Sequence, residues 1–573
     1  MLLNTAVFAA GTASQRFAKL ADDYWEAQMR TQPLFATFVN HQRYHDRLED
    51  NSASGRAEEF SEITKLHDRL LAIARSKLNS KERISWDVMK VEIEMDLEAE
   101  QHKFWQWNID HIDGAQSWIP TVIRIAQPMN TTEDGEALLL RMKAMPTFFA
   151  NYASNLREGM QQGRVAARIP VEKTISQLEG LLKTHPQESP YAEAVKRLPV
   201  KLRVKYMPLV IAAVETHVSP SYRQFHQFLK DEYLPKSRKD KVGISNIPGG
   251  MEAYRTLIRK HTTDDKTPDE LHQIGRDELT EIRKQMGTIA VKMGHKGSLE
   301  SFLNKVRHET KNFFSSRKEV LDDAKQQVAR AQAKLPLYFG KLPKTQLIVE
   351  PIEGYKEKND AAARYYSAPS DLSRPGIYFI NTYDPPSRPR FVMAALAAHE
   401  AVPGHHLQIA VALEQKGLPV FRRNSQFNAF TEGWGLYSEI LGEEMGLYQD
   451  DLSRLGMLAY QAWRASRLVV DTGLHSLGWS RQQAINFMKD NTPLSDKEII
   501  AEVDRTITWP GQALSYKVGQ REIMALRRES QGAGGQKFDI RAFHDAVLEN
   551  GSIPLPVLRQ RMARFNQRTP ART

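Results

Sequence analysis

The chain has 573 residues, of which 79 are Lys or Arg and 69 are Asp or Glu, so its formal net charge is +10. With 41% hydrophobic and 26% charged residues, the composition is that of an ordinary soluble globular protein and excludes collagen-like, fibrous and disordered classes. The absence of cysteine excludes disulfides, thiolate metal sites and a cysteine nucleophile. Any metal must therefore be held by imidazole and carboxylate groups.

The excess of basic residues does not indicate a nucleic-acid partner, because these residues are scattered rather than clustered. No apolar stretch reaches the roughly 18 residues of a membrane-spanning helix, so we expect no membrane span. The first fifteen residues contain a short apolar run but no basic segment before it, which is not a clear signal peptide. The sequence leaves open both a cytoplasmic and an exported location, periplasmic or secreted, and it does not indicate the oligomeric state.

Helical periodicity runs through residues 15–229 almost without interruption. A polar stretch rich in Pro and Gly follows at 233–250 and is the best candidate boundary. We therefore predict an N-terminal helical region, residues 1–235, and a catalytic region, residues 236–573, which together form one continuous body around a cleft.

Beyond the boundary, helices resume at two capping boxes, in which Thr267 and Ser495 each precede a glutamate by three residues. Segments 347–352 and 377–382 are predicted strands, because they are rich in β-branched or aromatic residues and are bounded by Pro or Gly. Both lie just before the helix with the most unusual polar content. The predicted fold is mainly α, with a small β-sheet beside the helix that carries the site.

That helix lies in segment 391–410, where His399 and Glu400 interrupt an alanine-rich apolar run. A buried charged pair is unfavourable unless it binds a metal or is hydrogen-bonded, so we favour a metal over a purely structural polar cluster. Zinc is expected over magnesium or calcium because imidazole is the main ligand. In zinc peptidases with the His-Glu-x-x-His motif, two imidazoles lie one helical turn apart, and the glutamate acts as the general base.

The strict motif fails here because its fifth position is Pro403, and histidines follow at 405 and 406. On an unbroken helix His406 would lie about 20° from the face of His399, whereas His405 would point well away. However, a proline inside a helix lacks a hydrogen-bond donor and clashes with the preceding turn, so the helix should kink or bulge before the second histidine. Helical geometry therefore leaves both histidines open as the second ligand.

A second polar group occurs on the segment 464–475. Arg464, Arg467, Asp471 and His475 lie within about 60° of one line along a helix whose other faces are apolar. Asp471 is one turn from both Arg467 and His475 and could orient either. We interpret Arg464, Arg467 and His475 as cleft residues that bind a substrate carboxylate or the tetrahedral intermediate. The alternative is an internal salt-bridge network that locks helices together.

Three strings, HEAVPGHHLQ, TEGWGLYSE and RASRLVVDTGLH, together resemble the bacterial family catalogued as domain of unknown function 885. The resemblance covers most of the chain and is strongest from 242 to 562. That family is similar to the gluzincin metallopeptidases and, more distantly, to oligopeptidases and carboxypeptidases. The resemblance implies a helical zincin-like fold with a deep cleft.

The resemblance also implies which residues hold the metal. The family's proline-glycine-histidine element matches Pro403, Gly404 and His405, which favours His405 as the second ligand after His399 and leaves His406 as the alternative. A gluzincin takes its third ligand from a later helix, and this matches Glu432.

Further site residues follow from the same resemblance and from spacing along the helices. Glu439, seven residues after Glu432 and on the same helical face, is the fallback ligand or a partner that orients a histidine. Asp471 and His406 are expected in the same supporting layer around the ligands. The resemblance assigns catalysis to Glu400 and the oxyanion donor to Tyr516, which on its spacing alone would be an ordinary half-buried aromatic.

The predicted function is a zinc-dependent peptidase that holds one Zn²⁺ and hydrolyses short peptides, in the manner of a carboxypeptidase or dipeptidase. A metal-activated water and Glu400 as general base would carry the reaction. Two alternatives share these residues: a non-catalytic binding or scaffold protein with a decayed zincin helix, and a metal-dependent hydrolase of amides or esters other than peptides.

Overall fold

The computed structural model of the chain describes residues 11–352, 354, 357–358, 361–369 and 371–568. Within them the protein is mainly α. The helices before residue 230 are α1 (Ala13–Thr31), α2 (Pro33–Phe38), α3 (Ala53–Leu71), α4 (Ser80–Gln101), α5 (Ala115–Ala126), α6 (Thr132–Gln161), α7 (Arg168–Lys183), α8 (Pro190–Val195), α9 (Val200–Ala213) and α10 (Ser219–Phe228).

Longer helices dominate the rest of the chain. Four precede the sheet: α11 (Gly250–Thr262), α12 (Pro268–Lys292), α13 (Leu299–His308) and α14 (Arg317–Tyr338). The helices after the sheet are α15 (Met393–Glu400), α16 (His405–Leu413), α17 (Val420–Asn424), α18 (Asn428–Glu444), α19 (Asp451–His475), α20 (Arg481–Asn491), α21 (Asp496–Thr508), α22 (Ser515–Gly534), α23 (Ile540–Leu548) and α24 (Leu555–Arg568).

Both predicted capping boxes are confirmed. The Thr267 side chain accepts the backbone N–H of Glu270, whose carboxylate in turn accepts from Thr267, and α12 begins at the next residue. Ser495 and Glu498 make the same reciprocal contacts at the start of α21. These exchanges satisfy N–H groups that the first turn of a helix otherwise leaves without partners.

A small mixed sheet of three strands lies between α14 and α15: β1 (Leu347–Pro351), β2 (Ala363–Tyr366) and β3 (Gly376–Ile380). The two predicted strands are confirmed as β1 and β3, with ends displaced by one or two residues. The prediction missed β2, whose four residues follow a polar, alanine-rich stretch. Strand β3 is central, parallel to β1 and antiparallel to β2, so Tyr378 pairs with both Val349 and Tyr365. Strand β2 is therefore one edge of the sheet, and it packs against α15.

The buried apolar residues form three clusters. One belongs to the helices between residues 34 and 234. A second surrounds α12, α14, α15 and α19, and the third joins α1, α3 and α4 to α16, α18, α22 and α24. The last cluster links the beginning of the chain to the region after residue 244. The division at residue 235 remains a prediction.

The helices α18 and α22 cross so closely that a glycine is required at the contact. A Cβ atom built on Gly519 would lie 1.7 Å from the carbonyl oxygen of Ala429, far inside van der Waals contact. This crossing sets the separation of the two helices that carry Glu432 and Tyr516.

Among the described residues, no helix combines the length and the apolar character needed to cross a bilayer.

We expect Gly519→Ala to lower the free energy of unfolding by about 1–3 kcal/mol or more, because the added methyl group forces two helix backbones apart. Gly532→Ala is the matched control on α22, since, apart from the backbone of α22 itself, no atom of the described residues lies within 4 Å of a Cβ built there. Removing glycine from a helix interior should stabilise the control by about 0.5–1 kcal/mol. Chemical denaturation followed by circular dichroism measures both, and equal effects of the two substitutions would contradict this account of the crossing.

Candidate metal centre

The helix that carries His399 is interrupted where the sequence predicts a break. Helix α15 ends at Glu400, a turn spans 401–404, and α16 begins at His405. The indole N–H of the buried Trp434 on α18 donates to the carbonyl oxygen of Pro403 at 2.9 Å, which holds the turn against α18. The predicted interruption is confirmed, and its consequence is that regular helical geometry no longer relates the two histidines.

The interruption brings His405, rather than His406, to His399. The ring centroids of His399 and His405 are 4.7 Å apart. His406 is buried on another side, where its Nδ1 lies 3.0 Å from the hydroxyl of Tyr365 on β2. Burial lowers the pKa of His406 to about 4.

Helix α18 adds a carboxylate to the two imidazoles. The Oε2 atom of Glu432 lies 3.5 Å from Nε2 of His399 and 3.4 Å from Nε2 of His405. One ligand atom from each residue falls within 4.8 Å of the others, so this group could hold a metal ion. A Cβ atom at Gly435 would lie 2.8 Å from the His399 ring, so a glycine one turn along α18 makes room for the ligand.

A second glutamate of α18 orients the first histidine. The buried carboxylate of Glu439 accepts a hydrogen bond from Nδ1 of His399 at 2.9 Å and another from Nε2 of Gln461 at 3.1 Å. With Nδ1 bound to Glu439, Nε2 is the ring nitrogen that faces Glu432 and His405. This carboxylate-histidine arrangement is the usual support of a metal ligand.

The electrostatics of the group couple the imidazole of His399 to the carboxylates beside it. Burial favours neutral His399, but the carboxylates of Glu432 and Glu439 outweigh it and raise the pKa of His399 to about 9. Burial likewise opposes the charged form of Glu432, yet the two histidines hold its pKa well below its usual range. Two imidazoles and a carboxylate that converge from oriented positions fit a divalent metal.

The three candidate ligands open into a cavity of about 550 Å³. Its walls come from β2, α15, α18, α19, α21 and α22, and a loop at 111–113 with Lys173 of α7 adds residues from the N-terminal part. Half-buried Glu400 lies on this wall. Tyr516 also lies there, and its ring is stacked on that of His399 with the ring centroids 6.1 Å apart. The Tyr516 hydroxyl accepts a hydrogen bond from Nη2 of Arg505 at 3.1 Å.

The predicted polar line on α19 is divided between two environments. Arg464 and Arg467 line the cavity. Arg467 is already paired, since its Nε and Nη2 donate to both carboxylate oxygens of Glu502 at 2.6 and 2.7 Å. The predicted alternative, an internal ion-pair network, thus describes the contacts of Arg467.

Asp471 and His475 lie farther along α19 and are not among the cavity-lining residues that the structure describes. Asp471 accepts hydrogen bonds from the hydroxyl of Tyr254 and the backbone N–H of Gly511, not from Arg467 or His475. For His475, the backbone N–H of Ile244 donates to Nδ1, and Nε2 donates to the carbonyl oxygen of Thr506. Both ring nitrogens are therefore used within the fold, so His475 has neither the position nor a free nitrogen for the predicted contact with a substrate.

Among the residues of the cavity wall that sequence reasoning missed, three lie close to the predicted site residues. Tyr460 and Trp463 are on α19, four residues and one residue before Arg464, and Arg505 holds the hydroxyl of Tyr516. Helical spacing only weakly indicates that such residues line a cavity, because aromatic residues at the same positions are also typical of an apolar core.

The sequence matches the family described as "Bacterial protein of unknown function (DUF885)" across residues 33–562. The chain belongs to this family. The family resemblance found in the sequence is confirmed, whereas its likeness to gluzincins stays a prediction.

Solved structures share the fold of this DUF885 protein. One, a "putative lipoprotein" from Colwellia psychrerythraea, is 28% identical, with a TM-score of 0.91 over 97% of this chain and 100% of that one. Another, from Shewanella oneidensis, is described in the same words and as of unknown function; it is 19% identical, with a TM-score of 0.71 over 96% of this chain and 99% of that one. No curated protein matches the sequence.

We expect the purified protein to bind one divalent metal ion per chain. His405→Asn should weaken that binding by more than the about 10- to 100-fold that loss of an outer hydrogen-bond partner costs. His406→Asn is the matched control and should retain the metal, because its ring faces Tyr365. Elemental analysis after dialysis and competition with a chelator measure both, and metal loss in the His406 variant alone would reverse the assignment.

Proposed function

We propose that this protein is a zinc-dependent peptidase that hydrolyses short peptides. The observation that carries the proposal is the convergence of His399, His405 and Glu432 beside Glu400 in one cavity. The resemblance of the HEAVPGHHLQ segment to gluzincin metallopeptidases supports the same reaction, with a helical zincin-like fold around a deep cleft.

Zinc is the metal we propose, because two of the three ligands are imidazoles. A site with three protein ligands leaves a position for water, whose pKa bound zinc would lower to near neutrality while polarising the substrate carbonyl. The chain's own contribution begins with Glu439, which keeps His399 in the tautomer that a metal requires.

Glu400 is the proposed general base. It follows a ligand directly in sequence and lines the cavity with its side chain half exposed, so it can reach a water molecule and the substrate. It would take a proton from the attacking water and return it to the leaving amine. Because this carboxylate acts first as the base and then as the acid, the proposed reaction needs no second titrating group.

Tyr516 is the proposed donor to the oxyanion. Because Arg505 donates a hydrogen bond to the hydroxyl oxygen, the hydroxyl hydrogen remains available for the substrate. Stacking on His399 fixes the ring beside the ligands. A donor fixed in advance stabilises developing charge without reorganisation.

The walls favour small substrates. The N-terminal loop and α7 border the cavity on one side, where Lys173 forms an ion pair with Asp504 at 2.7 Å. We propose carboxypeptidase- or dipeptidase-like cleavage, with Arg464 as the cationic group beside the substrate, since Arg467 is paired with Glu502.

We expect Glu400→Gln to reduce peptide hydrolysis by about 10²- to 10⁴-fold, the usual contribution of a general base, while metal content is unchanged. Mass spectrometry of a peptide library measures cleavage, with chelator-treated and zinc-reloaded wild type beside the variant. Zinc-loaded wild type that cleaves no peptide would refute the proposal. Cleavage of esters or non-peptide amides would then favour the other hydrolase, and no hydrolysis at all would favour the scaffold protein.

We expect Tyr516→Phe to lower kcat by about 10²-fold or more with little change in KM, because the lost hydrogen bond strengthens only in the transition state. Tyr338→Phe is a control on α14, where the hydroxyl binds the backbone carbonyl of Glu444. Steady-state kinetics on one cleaved peptide compares them. A rise in KM at constant kcat would instead make Tyr516 a substrate-binding residue.

A further inference from the structure

One wall of the cavity presents hydrogen-bond donors from a single helix face. Tyr460, Trp463 and Arg464 occupy positions i, i+3 and i+4 of α19, so their side chains are neighbours. All three line the cavity. This set, which we term the donor wall, lies beside the candidate metal centre.

Four donor atoms of this wall have no acceptor among the residues that the structure describes. The hydroxyl of Tyr460, the indole Nε1 of Trp463, and Nε and Nη1 of Arg464 are each buried without a hydrogen-bond partner. Tyr460 is 0% and Arg464 4% exposed. Indole and guanidinium groups can only donate, so a complementary group must bring acceptor atoms. Buried donors without any acceptor are unfavourable, so a ligand or bound water must supply acceptor atoms here.

The positive charge of Arg464 is also only partly compensated by a nearby carboxylate. Nη2 of Arg464 lies 3.6 Å from Glu439, but the oxygens of that carboxylate already accept hydrogen bonds from His399 and Gln461. Arg467, one turn away, differs because it is bound through two nitrogens to Glu502. Arg464 is therefore the better placed of the two to meet an anion.

The aromatic residues hold this guanidinium in place. The Cζ atom of Arg464 lies 4.5 Å from the ring centroid of Tyr460 and 4.6 Å from that of Trp463. A cation that is fixed by stacking keeps its N–H groups directed and loses little conformational freedom when a ligand binds.

We propose that Tyr460, Trp463 and Arg464 form a carboxylate-binding subsite, so that the substrates are peptides with a free carboxylate near the cleaved bond. The proposal rests on the proposed function, because it names the substrate class of that same cavity. The carboxylate has two sources, the C-terminus of the peptide or the side chain of an aspartate or glutamate. The first source makes the enzyme a carboxypeptidase, and the second gives it a preference for acidic residues.

Binding of three small probes tests the subsite in the zinc-loaded protein. The probes are N-acetyl-Ala-Ala with a free carboxylate, the same compound as its C-terminal amide, and N-acetyl-Ala-Glu-amide. Isothermal titration calorimetry gives their dissociation constants. Tighter binding of the free acid than of the amide, by about 10-fold or more, assigns the C-terminal source. If instead the glutamate-containing amide binds more tightly than the Ala-Ala amide by that factor, the side chain is the source.

Variants that delete single donors test which residues are responsible. Trp463→Phe and Tyr460→Phe should each weaken binding of the preferred carboxylate by about 10-fold, and Arg464→Lys by about 10- to 100-fold, with little change for the Ala-Ala amide. Ser466→Ala is the matched control: Ser466 lies on α19, its Oγ is also buried without a partner, and it is not among the cavity-lining residues described. The control should bind all probes like the wild type.

The outcomes separate this subsite from the peptidase assignment. Equal affinity for acid and amides, no detectable binding of either carboxylate, or variants that weaken acid and amides alike would overturn the subsite. Selective carboxylate binding without peptide cleavage would support the subsite and refute the peptidase. Peptide cleavage without carboxylate selectivity would refute only the subsite.

Discussion

The hydrogen bond between Glu439 and His399 is the interaction on which the candidate centre depends. Both groups are buried, and a buried carboxylate is strongly unfavourable without partners. The partners of Glu439 lie on two other helices: His399 is on α15, and both Gln461 and Arg464 are on α19. Satisfying one charge on α18 therefore sets the relative positions of three helices. It also determines which nitrogen of His399 faces the other ligands.

The interrupted helix is the second constraint. Pro403 cannot donate the hydrogen bond that would continue α15, and the chain turns before α16 begins. Trp434 on α18 holds this turn through a hydrogen bond. A local departure from regular structure thus brings a buried histidine to Glu432, and the surrounding packing stabilises it.

Much of the architecture could be predicted from local patterns. The capping boxes at Thr267 and Ser495, the strands β1 and β3, and the break at Pro403 all follow from residue type and spacing. Strand β2 could not be predicted in this way, because its four residues become a strand only by pairing with β3. Tyr460 and Trp463 were missed because aromatic residues beside an arginine look the same in sequence whether they face a core or a cavity.

The sequence by itself determined which chemistry a metal site in this chain can have, because a chain without cysteine has only imidazole and carboxylate groups for it. Its motifs also single out His399 and Glu432 as candidate ligands, with Glu400 beside them. Only the tertiary structure decided between residues that the sequence left open as alternatives. His405 rather than His406 meets Glu432, and Glu502 pairs with Arg467 rather than Arg464. Periodicity gives the direction of a side chain from its own helix, whereas its role depends on which partner another helix brings within hydrogen-bond distance.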